Sequence, residues 1–247
     1  MRHEFDHIRL WGMGSLKALL LTSREACECL APMVRAFYAS MNSEVSKLKA
    51  DKSAFTIADG IVQHLLTCHL FCGDKFCAIV GEEDVSVNIS SRPYMVDDLT
   101  VPDEFTDLID STREQVGSLA AGIKSYDTLT IFIDPIDGTR EFASGLGEQC
   151  SICIGFADTA GKAVAGLVFR PIPPIPTWAA GAASESFAAS NLERGGVASP
   201  NGLLTTNGSI SPFTSALLAQ GGMERVRSGG AGNKMLMLLE GRWDGGI

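Results

Sequence analysis

Residues 129–145, LTIFIDPIDGTREFASG, constrain the fold of this chain more than any other stretch. The run opens with alternating apolar residues, a pattern that predicts a mostly buried strand ending at Asp134. A second acid, Asp137, follows three residues later, with a glycine and a threonine directly after it. Carboxylates this close repel each other unless cations neutralise them, so the spacing predicts a hard-metal site with oxygen ligands. An ordinary strand-to-helix turn is the alternative, but a turn does not need the second acid together with the threonine.

The residues after the second acid predict a phosphate site beside this metal. Gly138 and Thr139 lead into Arg-Glu-Phe-Ala-Ser, a segment that can begin a helix. The N-terminus of a helix offers free N–H groups and the positive end of the helix dipole. We therefore expect a phosphate group to bind where this helix begins.

Charge and cysteine content narrow the classes of partner. The net charge of −9 argues against a nucleic-acid partner, which requires a basic surface. The seven cysteines are an odd number spread through apolar runs, which is typical of reduced thiols in a cytoplasmic protein rather than of a disulfide framework. Lys17 interrupts the most apolar N-terminal run, and no uncharged run is long enough to span a bilayer. We expect a cytoplasmic protein without nucleic-acid or membrane partners.

Apolar periodicity predicts alternating helices and strands. Thr22 and Glu25 have capping-box spacing, which predicts a helix that begins at Thr22. Residues 85–127 are predicted to be an irregular acidic excursion that contains one helix within 102–119. The other predicted elements are helices at 55–71 and 231–240, a helix opened by Ser211-Pro212, and strands at 76–80, 129–134, 151–157, 163–169 and 203–206. This alternation indicates a layered α/β protein.

Four prolines between positions 171 and 176 predict a break in regular structure. We place a boundary between subdomains there. Residues 1–172 would form an N-terminal α+β metal-binding subdomain, and residues 173–247 a C-terminal α/β subdomain.

Acidic residues end or follow three of the predicted elements. Asp59 ends the run FTIAD, Glu82 and Glu83 follow the strand in VGEED, and the third set lies in IDPIDGT. These three motifs, in this order, resemble the lithium-sensitive, magnesium-dependent phosphatases that include inositol monophosphatase, inositol polyphosphate 1-phosphatase and 3′(2′),5′-bisphosphate nucleotidase. The resemblance extends over residues 26–241 and is weakest in the acidic excursion. It implies a layered αβαβα sandwich of the sugar-phosphatase type.

The resemblance also implies a role for each motif residue. Glu82 and Asp134 would hold one Mg²⁺ together with the Ile136 carbonyl and Thr139. Asp134 and Asp137 would hold a second, in a site for two or three ions. The remaining implied roles are orientation or deprotonation of the attacking water by Asp59 beside Thr139, and phosphate binding by the N–H groups of Gly138 and Thr139.

Further motifs favour one branch of this family. REF after the central motif, the pairing of SICIG with KAVAGLVF, and GGAGNK are most similar to the bisphosphate nucleotidases, in which Lys234 would contact the phosphate that is not cleaved. The implied activity is Mg²⁺-dependent hydrolysis of the 3′-phosphate of adenosine 3′,5′-bisphosphate, a small phosphorylated metabolite. TTNGSISPF lacks the Arg and His that nucleotidases often carry there, so an inositol polyphosphate 1-phosphatase, which typically has Ser at Gly138, or an inositol monophosphatase is the alternative. A protein that binds a phosphorylated metabolite without catalysis is the alternative outside enzymes.

The resemblance further implies a Trp-Asp motif whose Asp completes the second metal site. Trp243-Asp244 offers such a pair, but in the register of AGNK the matching pair would lie beyond Ile247. We therefore expect the C-terminal subdomain to be truncated, and Asp244 is the weaker candidate for this ligand.

Other clusters are open to a second interpretation. His64, Cys68 and Cys72 share a helical face near His69 and Cys77, which would permit zinc, but the spacing fits no common structural zinc site. Burial in the core is the favoured interpretation.

Two more patterns have a structural explanation. Cys150 and Cys153 have CxxC spacing, yet an i, i+3 pair in a strand points to opposite faces, which argues against a redox pair. The acids from Asp97 to Asp110 lack the spacing of a calcium loop and favour a solvated surface.

Overall fold

The structure is a computed structural model that describes residues 14–41, 50–193 and 201–241. Its helices are α1 (Leu16–Met41), α2 (Ala50–His64), α3 (Thr106–Ala120), α4 (Thr139–Ala143), α5 (Pro212–Gln220) and α6 (Ala231–Glu240). Its strands are β1 (Phe76–Gly81), β2 (Val87–Asn88), β3 (Met95–Val96), β4 (Leu99–Thr100), β5 (Tyr126–Asp137), β6 (Ser151–Ala157), β7 (Ala163–Arg170), β8 (Thr177–Ala182), β9 (Phe187–Ser190), β10 (Gly202–Thr205) and β11 (Glu224–Arg227). A π-helical segment, Leu65–Leu70, continues α2.

A six-stranded sheet with the order β1-β5-β6-β7-β8-β9 forms the centre of the fold. β1 and β5 run parallel, and every other pair in this sheet is antiparallel. Parallel neighbours have their C-terminal ends at the same edge of a sheet. The residues that follow β1 therefore lie beside the acids at the end of β5.

Helices cover both faces of this sheet. Successive strand residues point to opposite faces, and Ile152 and Ile154 of β6 belong to the core that α1 and α2 cover. Ser151 and Cys153 point the other way, toward α6. A Cβ atom on Gly232 of α6 would lie 2.5 Å from Ser151 Oγ and 2.6 Å from Cys153 Sγ, so the glycine permits close packing. The predicted layered α/β class is confirmed.

A buried arginine fixes α6 to the sheet. Arg170, the last residue of β7, donates from Nη1 to Glu240 Oε1 at 2.5 Å and from Nε to Asn233 Oδ1 at 2.6 Å. Arg170 and Glu240 are 6% and 4% exposed, so this ion pair is shielded from water. Arg170 thus holds α6 at Asn233 near its start and at Glu240, its last residue, which restricts where the helix can lie relative to the sheet.

The predicted start of the first helix at Thr22 is wrong. α1 begins at Leu16, because Glu185 from a distant turn caps it. Glu185 accepts hydrogen bonds from the backbone N–H groups of Leu16 at 2.6 Å and Lys17 at 3.0 Å, and from Ser15 Oγ at 2.8 Å. These bonds satisfy donors that a helix start leaves without intrahelical partners.

The predicted irregular excursion is also wrong in part. β2, β3 and β4 form a small antiparallel sheet in it, and the helix predicted within 102–119 is confirmed as α3. Strands of two residues are too short for alternation to reveal them. The other predicted helices and strands are confirmed with shifted ends, whereas β8, β9 and β11 were not predicted.

β8 and β9 follow the proline-rich segment and extend the same sheet. The sheet thus continues across position 172, and the division into two subdomains stays a prediction. β10 and β11 form a separate parallel pair. No helix in the described ranges has the length and apolar character needed to cross a membrane.

Candidate active site

A bulge at the end of β5 places its two acids on one face of the sheet. Asp134 pairs with Cys153 of β6, and Asp137 pairs with Ser151, so β5 has one more residue between the pairs than β6. Residues three apart in a regular strand point to opposite faces, and one inserted residue restores the same side. The Asp-Pro-Ile-Asp spacing therefore brings the two carboxylates together.

The turn after β1 brings a third acid to this position. Gly81 pairs with Ile133 of β5, and Glu82 N–H continues the ladder by donating to Ile133 O at 3.0 Å. The pKa of Asp134 is raised to about 8, mainly by burial and then by a hydrogen bond with Glu82 and by the charges of Glu82 and Asp137. Asp134 thus keeps its proton near neutral pH when no cation is bound.

Asp59 of α2 approaches the same cluster from the helical layer. It is 3% exposed. Burial is the largest cause that raises its pKa, to about 9, followed by the charge of Glu83 and a hydrogen bond with it. The charges of Asp134 and Glu82 act in the same direction. Asp59, Glu82 and Asp134 therefore lie close together, and Glu83 joins them.

Two buried oxygens test whether these residues fit a metal ion. Asp59 Oδ1 and Asp134 Oδ1 are buried and have no hydrogen-bond partner. A buried carboxylate oxygen without a partner is costly, and a hard cation with oxygen ligands would satisfy it. Among the described residues, no three His, Cys, Asp or Glu side chains are already arranged to hold a metal. The donor set fits Mg²⁺, and binding would release the protons that Asp59 and Asp134 hold.

The carboxylate of Asp137 contacts the N-terminus of α6. It accepts hydrogen bonds from Ala231 N–H at 3.0 Å, Gly232 N–H at 2.7 Å and Ser151 Oγ at 3.2 Å. Gly230 has φ 61°, and a Cβ atom on it would lie 3.0 Å from Asp137 Oδ2, so this position requires glycine. These three donors occupy part of the acceptor capacity of the Asp137 carboxylate, and metal binding by Asp137 stays a prediction.

The other motif residues lie directly after β5 or on α6. Gly138 has φ 97° and caps the short helix α4, whose first residue, Thr139, is exposed. Ile136 is 2% exposed. Lys234 is half-buried on α6. Metal binding by the Ile136 carbonyl, the contact between Asp59 and Thr139, and phosphate binding by Gly138, Thr139 and Lys234 stay predictions.

A cleft of about 280 Å³ opens beside these acids. Val80 and Phe132 form part of its wall and are 44% and 48% exposed. The other lining residues are Gly81, Glu82, Ile133, Asp134, Cys153 and Gly155. An apolar wall next to a few polar groups is typical of small-molecule sites.

Sequence reasoning gave roles to Glu82 and Asp59 but missed Glu83 and Gln63. Gln63 Nε2 donates to Glu83 O at 2.6 Å, and Glu83 N–H donates to Gln63 Oε1 at 2.9 Å. Gln63 lies four residues after Asp59, which places both on one helical face. The four-residue spacing from Asp59 to Gln63 was the sequence signal that could have indicated a role for Gln63.

The alternative metal and redox sites find no support. The seven cysteines are all free, and Cys150 Sγ donates to Gly138 O at 3.3 Å. The rings of His64 and His69 contact each other at a centroid distance of 5.6 Å, and Cys68 and Cys77 are exposed, so the predicted burial of this cluster in the core is wrong for these two cysteines. Asp244 lies outside the described residues.

Comparison with known proteins connects this geometry to a family. The model of the inositol monophosphatase family matches residues 36–247. The chain belongs to the inositol monophosphatase family. A 3′(2′),5′-bisphosphate nucleotidase 1 of Rattus norvegicus is 29% identical over 200 residues, which cover 76% of this chain and 60% of that protein. The chain thus spans about 60% of the length of this curated relative.

Other members of the inositol monophosphatase family match as well. Inositol monophosphatase 3 of Xenopus laevis is 25% identical over 172 residues, which cover 68% of this chain and 44% of that protein. The solved structure of an inositol monophosphatase from Zymomonas mobilis has a TM-score of 0.54 at 19% identity and covers 90% of this chain and 73% of its own. This likeness shows that the chain has the family fold.

Proposed function

We propose that this protein is a Mg²⁺-dependent phosphomonoesterase that removes the 3′-phosphate from adenosine 3′,5′-bisphosphate. The convergence of Asp59, Glu82, Glu83 and Asp134, with two buried oxygens that lack partners, carries the proposal. The similarity to bisphosphate nucleotidases favours the nucleotide as substrate. The seven free cysteines favour a location in the cytoplasm.

The acids have distinct roles in this reaction. Glu82 and Asp134 would hold one cation, with the Ile136 carbonyl and Thr139, and Asp134 and Asp137 a second. Mg²⁺, when bound, neutralises the carboxylates and the phosphate and lowers the pKa of water. With Glu82 and Asp134 neutralised, two of the charges that raise the pKa of Asp59 weaken, whereas burial, the largest cause, remains. Asp59 Oδ1 is then free to accept a proton from the attacking water.

The backbone after β5 would position the phosphate. The N–H groups of Gly138 and Thr139 are the proposed donors to its oxygens, because phosphoryl transfer depends mainly on positioning and charge stabilisation. Gly138 has φ 97°, a conformation that disfavours the serine implied for inositol polyphosphate 1-phosphatases. Lys234 would bind the phosphate that is not cleaved.

Phosphate release from three substrates tests this proposal. The protein is assayed with and without Mg²⁺ on adenosine 3′,5′-bisphosphate, inositol 1,4-bisphosphate and inositol 1-phosphate. We expect Mg²⁺-dependent release with preference for the nucleotide, and loss of turnover in Asp134→Asn. Full turnover in Asp134→Asn would overturn the assignment of the site.

The match to an inositol monophosphatase supports a second candidate, hydrolysis of an inositol phosphate. Preference for either inositol ester in the same assay would select it. Mg²⁺-dependent binding of the nucleotide without phosphate release would indicate a binding protein instead.

A further inference from the structure

Gln63 holds the backbone of Glu83 through both ends of its side-chain amide. Nε2 donates to Glu83 O at 2.6 Å, and Oε1 accepts from Glu83 N–H at 2.9 Å. A primary amide that bonds both polar groups of one residue fixes the position and the orientation of that backbone unit. The acidic turn after β1 is therefore attached to α2 by a two-point contact.

The opposite side of this turn is attached to the sheet. Glu82 N–H donates to Ile133 O at 3.0 Å, one residue before Asp134. Glu82 and Glu83 are thus held between β5 on one side and α2 on the other. Asp59, one helical turn before Gln63, faces the Glu83 carboxyl group. The same face of α2 hence contacts Glu83 at its side chain and at its backbone.

Gly81 leaves the space that Gln63 occupies. A Cβ atom on Gly81 would lie 2.2 Å from Gln63 Cδ, and the three nearest atoms all belong to the Gln63 amide. The φ angle of Gly81 is not in the left-handed region, so this glycine is needed for space rather than for conformation. The position of the Gln63 amide therefore depends on the absence of a side chain at Gly81.

We propose that Gln63 is a positioning residue, which holds the Glu82–Glu83 turn so that both carboxylates meet Asp59 and Asp134 at the metal site. This inference rests on the proposed Mg²⁺ site. Residues that orient metal ligands typically contribute 10- to 100-fold to metal affinity. Gln63 would act on affinity through the backbone next to Glu82, without touching the metal.

Mn²⁺ binding, measured by electron paramagnetic resonance, tests the inference, because Mn²⁺ takes the same oxygen ligands as Mg²⁺. The test variants are Gln63→Met, which keeps the length of the side chain but loses both bonds, and Gly81→Ala. Gln115→Met is the matched control, since Gln115 is exposed on α3 and its amide donates to Ser111 Oγ in the same helix. The unfolding temperature of each metal-free variant is measured in parallel.

We expect Gln63→Met to weaken Mn²⁺ binding roughly 10- to 100-fold, with Gln115→Met unchanged. Gly81→Ala should weaken binding in the native background but have little further effect when Gln63→Ala has removed the side chain it would displace. Equal Mn²⁺ affinity in Gln63→Met and the native protein, even with a lower unfolding temperature, would show a merely structural contact and overturn the inference. Equal effects of Gly81→Ala in both backgrounds would also overturn it.

Failure of the proposed function gives a different result. If the native protein binds no Mn²⁺, the metal-dependent function is wrong, and the inference falls with it. If the native protein binds Mn²⁺ and the Gln63 variants bind it equally well, only the role of Gln63 is wrong.

Discussion

Single residues at the acidic cluster control how the protein responds to pH. Without metal, the pKa of Asp59 is raised from 3.8 to about 9 and that of Asp134 to about 8. Between the unfolded and folded values, the folded protein holds protons that the unfolded chain has released. The free energy of unfolding therefore falls as pH rises through this interval. The stability that the protons on Asp59 and Asp134 contribute to the folded state is complete below about pH 4 and lost above about pH 9.

Thermal unfolding without metal, followed from about pH 5 to about pH 9, measures this effect. We expect the unfolding temperature to fall with pH in the native protein and to fall less in Asp134→Asn. Asp127→Asn, at an exposed position of β5, should follow the native curve. Added Mg²⁺ should reverse the trend, because it binds the deprotonated carboxylates. A flat native curve would contradict the raised pKa values of Asp59 and Asp134.

Lys234 is the residue that would distinguish a bisphosphate from a monophosphate. It is half-buried on α6, and its backbone N–H donates to Gly230 O at 3.3 Å, close to the Ala231 and Gly232 N–H groups that donate to Asp137. A hydrogen bond to a charged group contributes about 1.5–3 kcal/mol, so Lys234→Ala should raise KM for adenosine 3′,5′-bisphosphate roughly 10- to 100-fold. KM for adenosine 3′-monophosphate should change much less.

Steady-state kinetics with the two nucleotides measure the difference. Lys162→Ala, in the exposed turn between β6 and β7, is the matched control and should leave both KM values unchanged. Equal increases for the two nucleotides in Lys234→Ala would place Lys234 at the phosphate that is cleaved.

At the scale of elements, α1 depends on a cap from elsewhere in the chain. Glu185 accepts hydrogen bonds from the N–H groups of Leu16 and Lys17, and these bonds lower its pKa. Loss of such a cap typically costs about 0.5–2 kcal/mol. We expect Glu185→Ala to lower the free energy of unfolding by this amount in urea titrations, and Glu193→Ala, at another exposed position, to change it little. Equal stability of the two variants would mean that solvent caps α1 as well.

For the whole molecule, periodicity in the sequence was enough to locate most of the helices and the central strands β1, β5, β6 and β7. The alternation in β6 and β7 and the apolar stripe of α1 express burial on one face, a property that each segment carries in its own residues. The cap from Glu185 was not predictable, because its partners lie about 170 positions away in the chain. Contacts of this kind depend on the complete fold.

At the candidate site, too, the sequence predicted what a single segment carries and did not predict contacts between segments. The Asp-Pro-Ile-Asp spacing located two of the acids, and resemblance to a family added Asp59 and Glu82. The bulge that puts Asp134 and Asp137 on one face depends on the register between β5 and β6, which a single strand does not reveal. The two hydrogen bonds between the Gln63 amide and the Glu83 backbone depend likewise on how α2 packs against the sheet.

Because the acids come from α2, the turn after β1 and the end of β5, a bound cation would join three separate parts of the fold. A ligand present at 100 times its dissociation constant stabilises the state that binds it by about 2.7 kcal/mol, which slows exchange through opening of that region about 100-fold. Mg²⁺ should therefore slow amide hydrogen exchange at residues 59–63, 81–84 and 133–138. The amides of α5 and β11, outside this cluster, should change much less.

Hydrogen exchange followed by mass spectrometry, with and without Mg²⁺, measures this pattern. Asp134→Asn should abolish the protection in all three segments together. Asp134 is the proposed ligand of both cations and lies near Asp59 and Glu82, so its loss removes the carboxylate on which both metal sites depend. Protection confined to the end of β5 would instead indicate a cation held by Asp134 and Asp137 alone. In that case Glu82 would not share the cation with Asp134, and the proposed connection of the turn after β1 and of Asp59 to the end of β5 through the site would be wrong.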